Sequence, residues 1–261
     1  MTLIRSIIRA FSMFSTIKMP NIDWSERSMR YTLAAFPLVG AVVGLLMGVW
    51  LFLASLLQVD RMIMALVAMA IPLLITGGIH IDGFADTVDA LASHASQEKK
   101  RQILKDSNIG AFAGIGISAY LICYFAIAAQ LQYIGSDWIR TAMMMCLIPV
   151  WVRTMSGIVS ISYPGSSHEG LLSTFRGSAN KKGALVILFF LLAAQIAYAY
   201  VFVGWFAATL FIGVTLLISL YLYVMSKRQF GGMSGDLSGF YLQVLEITLV
   251  AVVALVEAIG L

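Results

Sequence analysis

The segment Thr76-Gly-Gly-Ile-His-Ile-Asp-Gly-Phe-Ala-Asp-Thr-Val-Asp-Ala90 ends a long apolar stretch and carries three aspartates, Asp82, Asp86 and Asp89. Their spacing of i, i+4 and i+7 places all three carboxylates on one face if the segment is helical. Two unit charges about 6 Å apart repel by roughly 3 kcal/mol at an effective dielectric near 20. The pattern therefore predicts a cation on this face. Ligands that are all oxygen atoms favour Mg²⁺ or Mn²⁺ and argue against zinc.

Three glycines, Gly77, Gly78 and Gly83, frame this aspartate face, and His80 lies beside it. Glycine removes the side chain and allows a backbone or a phosphate to approach closely. The simpler alternative is a solvated helix end just outside the membrane. That alternative accounts for neither the glycines nor the histidine, so we favour a site.

The composition excludes a soluble globular chain. Of 261 residues, 60% are hydrophobic and 11% are charged, and the mean hydropathy is +0.91. Apolar stretches of about 18 residues or more recur along most of the length, which predicts an all-α, polytopic membrane bundle of one domain covering 1–261. Cys123 and Cys146 lie in apolar stretches, so neither a disulfide framework nor a cysteine metal site is expected. We expect membrane lipid, and no nucleic acid, as a partner.

Seven spans are expected after an amphipathic N-terminal segment, 1–33, whose helix at the membrane surface is expected to end at Pro20. The expected spans are 34–57, 62–79, 111–134, 138–161, 184–203, 205–225 and 240–259. With seven spans, one face of the membrane receives the segments 1–33, 80–110, 162–183 and 226–239. These four segments hold fourteen of the seventeen Lys and Arg residues. The positive-inside rule makes that face cytoplasmic.

Other chemical groups fall on the same face. Lys105-Asp106-Ser107-Asn108-Ile109-Gly110 offers a further carboxylate at the entrance of a span. The loop containing Arg176 is basic and rich in glycine, and either folds over a phosphorylated ligand or is an ordinary flexible loop. Gly231-Gly232-Met233-Ser234-Gly235-Asp236 resembles a backbone nest that ends in a carboxylate. The basic cluster Lys99–Arg101 is typical of a contact with anionic lipid.

Two charged residues fall inside predicted spans, Arg153 and Glu246. Each needs a partner or a polar cavity and is a functional candidate, with an internal structural pair as the alternative. Three loops on this face supply carboxylates, glycines and basic groups. Metal-assisted phosphoryl transfer uses all three kinds of residue.

The chain resembles the cobalamin synthase family, the adenosylcobinamide-GDP ribazoletransferases. The resemblance rests on the Thr76–Asp89 signature, on Phe36-Pro37-Leu38-Val39-Gly40, on Lys105–Gly110 and on Gly231–Asp236. The chain departs from the family pattern by Ser234 in place of the usual Thr, by Leu172 where Gly is common, and by Gln243 in place of a glutamate.

The resemblance implies a reaction. The 5′-hydroxyl of α-ribazole, or else the 5′-phosphate form of α-ribazole, attacks the cobinamide-linked phosphate of adenosylcobinamide-GDP, GMP leaves, and Mg²⁺ assists. It also implies the membrane of a prokaryotic cell, with the site on the cytoplasmic face. Homo-oligomers and association with other enzymes of cobamide assembly remain open.

The residue patterns and the resemblance together imply three sets of site residues. The catalytic candidates are His80, Asp82, Asp86, Lys105 and Arg153. The candidate metal ligands are Asp82, Asp86, Asp89, Asp106 and Asp236. The substrate-binding candidates are Gly77, Gly78, Gly83, Ser107, Gly110, Arg176, Gly231, Gly232, Ser234 and Gly235.

Two other classes of protein share part of this pattern. A CDP-alcohol phosphotransferase also carries Asp-Gly-x-x-Ala, but its signature continues with Arg where this chain has Asp86. An ion-coupled transporter would place Asp, Arg153 and Glu246 in a bundle, but it needs polar groups near the midplane, whereas this chain concentrates them at one face.

Overall fold

The computed structural model describes residues 2–23, 25–106, 108–133, 138–166, 171–178 and 180–260. These ranges are mainly helical and contain no β-strand, which confirms the predicted all-α membrane bundle. In chain order the helices are α1 Thr2–Phe14, α2 Glu26–Met29, α3 Thr32–Leu56, α4 Arg61–Thr76, α5 Ile79–Ala92, α6 Gln97–Ile103, α7 Ala111–Ala128, α8 Trp138–Ser162, α9 Leu171–Ser178, α10 Lys181–Tyr198, α11 Trp205–Met225 and α12 Gly235–Ala258. The π-helical segments Ala199–Val203 and Ser226–Phe230 continue α10 and α11.

Six helices are each long and apolar enough to cross a membrane: α3, α7, α8, α10 and α11 with their π segments, and α12. Helix α4 has 16 residues and gives a seventh candidate span when it is counted with α5, to which it is joined at an angle of 93°. The predicted spans match these helices, with differences at the ends. The span expected at 111–134 ends at Ala128, and the span expected at 62–79 ends at Thr76.

The bend between α4 and α5 is made by Gly77 and Gly78, whose φ angles are +64° and +78°. Two consecutive left-handed residues are costly for any side chain with a Cβ, so the Gly-Gly pair is what permits this turn. After the turn, α5 packs against the beginnings of α7 and α12. The aspartate segment therefore lies across one end of the bundle instead of continuing the span.

The central helix of the bundle is α8, and α3 packs along it through Gly40 and Gly44. A Cβ at Gly40 would overlap the carbonyl oxygen of Pro149, and one at Gly44 would overlap that of Cys146. Small residues four apart allow this close backbone approach between membrane helices. The buried α8 is thereby held in place beneath the end of the bundle that α5 crosses.

The N-terminal helix α1 packs against α3 and ends at Phe14. Leu3 and Ile4 on its outer face are 54% and 63% exposed, which leaves an apolar surface for the membrane interface. Arg9 is buried, and its guanidinium donates to two backbone carbonyls of the following loop at 2.8 and 2.7 Å. The basic side chain thus ties α1 to the loop that leads into α3.

Candidate active site

A cavity of about 890 Å³ lies where α5 crosses the end of the bundle. Its walls come from α1, α3, α5, α6, α8, α9 and α12 and from the loops before α9 and α12. This volume lies within the range of small-molecule and cofactor sites. The predicted site residues that line it are His80, Asp82, Gly83, Lys105, Arg176, Ser234, Gly235 and Asp236.

The crossing of α5 and α12 positions the acidic wall of this cavity. A Cβ at Gly83 would lie 2.9 Å from the Cα and carbonyl oxygen of Asp236. A Cβ at Gly239 would lie 2.8 Å from the carbonyl oxygen of His80. Two helices can approach this closely only where both lack side chains. The two glycines therefore bring Asp82 and Asp236, which are far apart in the sequence, to one wall.

Asp86 shares the electrostatic environment of this wall, although it does not line the cavity. Helix α5 lies across the bundle end, outside the six individually spanning helices. Partial burial, and then repulsion from Asp82, Asp236 and Asp89, raise the pKa of Asp86 to about 6. A carboxyl group whose pKa is raised by burial and by neighbouring carboxylates indicates a site that a cation would stabilise.

The other two predicted metal ligands, Asp89 and Asp106, do not line the cavity. The Asp89 carboxylate lies against Gly110, where a Cβ would overlap it, at the beginning of α7. A negative charge is favourable at a helix N-terminus. The exposed Asp106 accepts hydrogen bonds from the backbone N–H and the side-chain amide of Asn108 at 3.0 and 2.8 Å. Ser107 lies outside the described residues.

The donor set fits Mg²⁺. Within the described ranges, no three His, Cys, Asp or Glu side chains converge closely enough to enclose a metal ion by themselves. Zinc sites need such a cluster, whereas Mg²⁺ usually keeps several waters and uses one or two carboxylates plus substrate phosphates. Asp82 and Asp236 supply two carboxylates at one wall of the cavity, with Asp86 behind them, and Glu98 of α6 is a further acidic residue in the lining.

Three basic residues, Arg101, Lys105 and Arg176, line the same cavity. Arg176 donates from Nη2 to the carbonyl oxygen of Tyr163. Its Nη1 is buried without a hydrogen-bond partner among the described residues. Arg101 donates from Nη1 to the carbonyl oxygen of Ser166 at 3.4 Å. Orphaned guanidinium hydrogens that line a cavity suit an anionic ligand.

The loop before α12 is fixed by the loop that follows α8. Met233 N–H donates to the Pro164 carbonyl at 2.7 Å, and Ser166 N–H donates to the Met233 carbonyl at 3.1 Å. Gly231 and Gly232 have φ of +74° and +143° and turn the chain behind the cavity, outside its lining. Ser234 caps α12 by accepting from the Leu237 N–H at 3.3 Å.

His80 is 6% exposed, and its Nε2 has no hydrogen-bond partner within the described part of the chain. Burial, and then the charge of Arg153, lower the pKa of His80 well below its ordinary value. The imidazole is therefore neutral at pH 7 and available to a ligand in the cavity.

Arg153 and Glu246 are both buried and neither lines the cavity. Among the described residues they form no ion pair within 4.0 Å. Arg153 donates from Nη1 to the Pro149 carbonyl at 2.9 Å, and its guanidinium carbon lies 5.7 Å from the Phe36 ring centroid. Arg153 is thus placed behind the cavity wall, where it acts on His80 through its charge.

Sequence reasoning missed two features of the cavity. Ser160 and Ser238, on α8 and α12, are hydrogen-bonded through their hydroxyls at 2.8 Å and both line the cavity. Phe14, Phe36 and Phe175 form an aromatic wall. The spacing of Ser156 and Ser160 on one face of an apolar helix was a signal for the serines. The phenylalanines, scattered in sequence, gave none.

These observations define a class of protein. It is a multi-pass helical membrane protein with a cavity at one end of the bundle, and that cavity is lined by both carboxylates and basic groups, as phosphoryl-transfer chemistry requires. The chain belongs to the family described as Cobalamin-5-phosphate synthase, whose profile matches residues 6–254. It is therefore a transferase of cobalamin biosynthesis. This result sets aside the CDP-alcohol phosphotransferase and transporter alternatives.

Individual relatives agree with the family match. The chain is 31% identical to the adenosylcobinamide-GDP ribazoletransferase of Lachnoclostridium phytofermentans, with 98% of this chain and 95% of the relative covered. It is 31% identical to that of Clostridium perfringens strain SM101, with 94% and 95% covered. For the protein of the same name in Halalkalibacterium halodurans, the identity is 28% and the coverage is 90% of both chains. No solved structure gives a significant match.

Proposed function

We propose that this chain transfers the adenosylcobinamide phosphate group from adenosylcobinamide-GDP to a ribose hydroxyl of α-ribazole or of α-ribazole 5′-phosphate. Because the 5′ position of the second acceptor already carries phosphate, the hydroxyl that both acceptors share is a ring hydroxyl and not the 5′-hydroxyl. The hydroxyl oxygen forms a bond to the phosphorus that carries cobinamide, and the bond from that phosphorus to the bridging oxygen breaks. GMP leaves with the bridging oxygen, and the hydroxyl proton is released. The names of the relatives and the family description support this choice of substrates.

The observation that carries the proposal is the composition of the 890 Å³ cavity. Asp82 and Asp236 stand on one wall through the Gly83–Gly239 crossing, and Arg101, Lys105 and Arg176 line the same space. A diphosphate needs both kinds of group, because its oxygens bind cations and basic side chains together. Asp82, Asp236 and Asp86 would hold Mg²⁺, which when bound supplies charge neutralisation at the phosphate oxygens.

The basic side chains would bind the transferred phosphate and the GMP leaving group. Arg176 donates from Nη2 to the Tyr163 carbonyl, and this hydrogen bond fixes the orientation of the guanidinium. Its Nη1 can then donate to a phosphate oxygen. A preorganised donor of this kind stabilises charge that develops in the transition state.

The neutral His80 and the aromatic wall would hold the acceptor. Phe36 lies with its ring centroid 5.3 Å from that of His80, and Phe14 lies 6.2 Å away. These rings offer a flat apolar surface for a heteroaromatic base, and they exclude water from the reacting phosphate. The unpartnered Nε2 of His80 can accept a hydrogen bond from the attacking hydroxyl and orient it.

The cavity would open to the cytoplasm of a prokaryotic cell. Its lining residues come from the helix ends and loops that carry most of the Lys and Arg residues. The positive-inside rule places this side of the bundle in the cytoplasm, where nucleotide substrates are available. Homo-oligomers and contacts with other enzymes of cobamide assembly remain predictions.

Release of GMP tests the proposal. Purified protein in lipid nanodiscs is incubated with adenosylcobinamide-GDP, Mg²⁺ and either α-ribazole or α-ribazole 5′-phosphate. GMP and the joined cobamide should appear in equal amounts and only when an acceptor is present. Comparing kcat/KM for the two acceptors identifies the preferred one. GMP release without an acceptor would show hydrolysis and would contradict the proposed transfer.

A further inference from the structure

A second cavity of about 340 Å³ lies away from the proposed active site, between the end of α5, helix α6 and the end of α11. It is lined by Leu91, His94, Lys100, Tyr221, Val224, Met225, Arg228 and Gln229. None of these residues lines the 890 Å³ cavity. Among the residues that the structure describes, this lining contains two cations and a histidine and no acidic residue.

Lys100 is the unusual member of this lining. It is 5% exposed, and its Nζ donates to the side-chain oxygen of Gln229 at 2.6 Å. No carboxylate lies within 4.0 Å of it in the described part of the chain. A buried ammonium has three hydrogens and a full charge, and a single neutral amide does not compensate for its lost hydration. The second cavity therefore favours an anion.

The position of the cavity along α11 indicates which kind of anion. Leu217, Leu220, Tyr221 and Val224 are exposed on the surface of α11, as side chains that face lipid are. One turn later the chain reaches Lys227 and Arg228, which are also exposed. The cavity thus spans the point where the helix passes from hydrocarbon to the headgroup layer. A basic group at this level attracts anionic headgroups.

The local backbone holds the basic groups in place. The π-helical segment Ser226–Phe230 changes the helical register after α11, which brings Gln229 to the Lys100 ammonium. Gln97 of α6 donates to the carbonyls of Lys227 and Arg228 at 3.3 and 3.4 Å. Helix α6 is thereby fixed to the end of α11, and the cavity between them is a built feature.

We propose that this second cavity binds the phosphate of an anionic phospholipid, with Lys100 and Arg228 on the phosphate and Tyr221 and Val224 against the acyl chains. A free phosphate offers the same oxygens, but it would make no use of the two apolar side chains. The site would anchor α6, whose Arg101 lines the active-site cavity, to the membrane surface.

The test compares lipid selectivity in four proteins. Wild type, Arg228→Gln, Lys100→Gln and the control Lys182→Gln are reconstituted in phosphatidylcholine, and the association of spin-labelled phosphatidylglycerol is measured by electron paramagnetic resonance. Lys182 is an exposed cation at the beginning of α10, outside the cavity. Lys182→Gln should lose only the general attraction of a surface cation for anionic lipid, at most about fivefold. Arg228→Gln also loses the contact in the cavity, so it should lower the preference for phosphatidylglycerol by clearly more than Lys182→Gln does.

Each other outcome overturns the proposal. Unchanged selectivity in Arg228→Gln means that this cavity does not bind the lipid. An equal loss in Arg228→Gln and Lys182→Gln means that net charge alone is measured. Displacement of the labelled lipid by millimolar glycerol 3-phosphate, at constant ionic strength, means that a soluble phosphate is the ligand. Because Arg228 is exposed, its substitution keeps the test decisive even if Lys100→Gln fails to fold.

Discussion

Gly83 of α5 and Gly239 of α12 pack backbone to backbone, so that a Cβ on Gly239 would lie 3.3 Å from the Cα of Gly83. This contact sets the separation of the two helices that carry Asp82 and Asp236. The geometry of the acidic wall therefore depends on two residues that have no functional groups.

Replacing Gly83 by Ala should abolish most activity. The new Cβ would lie 2.9 Å from the backbone of Asp236, which cannot move without moving α12. A shift of about 1 Å at the reacting groups costs on the order of 100-fold in turnover. Gly213→Ala is the matched control, because no described residue places an atom within 4 Å of a Cβ at that position in α11. Normal GMP release by Gly83→Ala would show that the crossing does not set the site.

The orientation of the bundle can be tested by cysteine labelling. In a background without Cys123 and Cys146, a membrane-impermeant maleimide should label Ser96→Cys from the cytoplasmic side only. Gln130→Cys, in the exposed turn after α7, should be labelled from the opposite side only. Labelling of both positions from one side would contradict the orientation that the distribution of Lys and Arg predicts.

Arg153→Lys should reduce turnover by roughly tenfold and lower the melting temperature, although it keeps the charge. The planar guanidinium donates to the Pro149 carbonyl and faces the Phe36 ring, and an ammonium does not reproduce both contacts. Arg140→Lys is the control, since Arg140 donates to the Val203 carbonyl near the opposite end of the bundle. Equal activity in Arg153→Lys and Arg140→Lys would show that Arg153 contributes only to packing.

The sequence predicted the membrane spans, because apolar length is a local pattern. It did not predict the bend, since the expected span 62–79 continued through Gly77 and Gly78. It also predicted that Asp82, Asp86 and Asp89 share a face. A shared face is a weaker statement than a shared site, since seven residues of helix cover about 10 Å. Over that distance Asp89 reaches a different neighbour, Gly110.

The features that the sequence did not reveal are all contacts between distant segments. Nothing in the local pattern around Ser238 relates it to Ser160, and their hydrogen bond exists because α8 and α12 pack together. The same holds for the Gly83–Gly239 crossing. Periodicity predicts which face of a helix is buried, but the partner on that face follows only from the packing of the whole bundle.

The Mg²⁺ requirement should depend on pH through Asp86. Its pKa is raised to about 6 by burial and by Asp82, Asp236 and Asp89, so it is protonated below pH 6 when no cation is bound. Binding of Mg²⁺ then has to displace a proton. The Mg²⁺ concentration for half-activation should rise about tenfold per pH unit below 6 and level off above it. Asp86→Asn should need more Mg²⁺ at pH 7 and lose this dependence. A wild-type requirement that is constant from pH 5 to 7 would contradict the assignment.

The strongest test of the site is Asp82→Asn, which keeps the size of the side chain and removes its charge from the cavity wall. Turnover should fall by at least a few hundred-fold, as when a preorganised electrostatic partner of roughly 3–4 kcal/mol is deleted from an active site. The Mg²⁺ concentration for half-activation should rise as well. Asp89→Asn should cost less, on the order of ten- to a hundred-fold, because its carboxylate lies against the beginning of α7 and supports the wall from behind. Asp106→Asn provides the control, since that exposed carboxylate is held by Asn108 outside the cavity. Equal kcat and Mg²⁺ dependence in Asp82→Asn and Asp106→Asn, both folded, would mean that the acidic wall does not take part in the reaction.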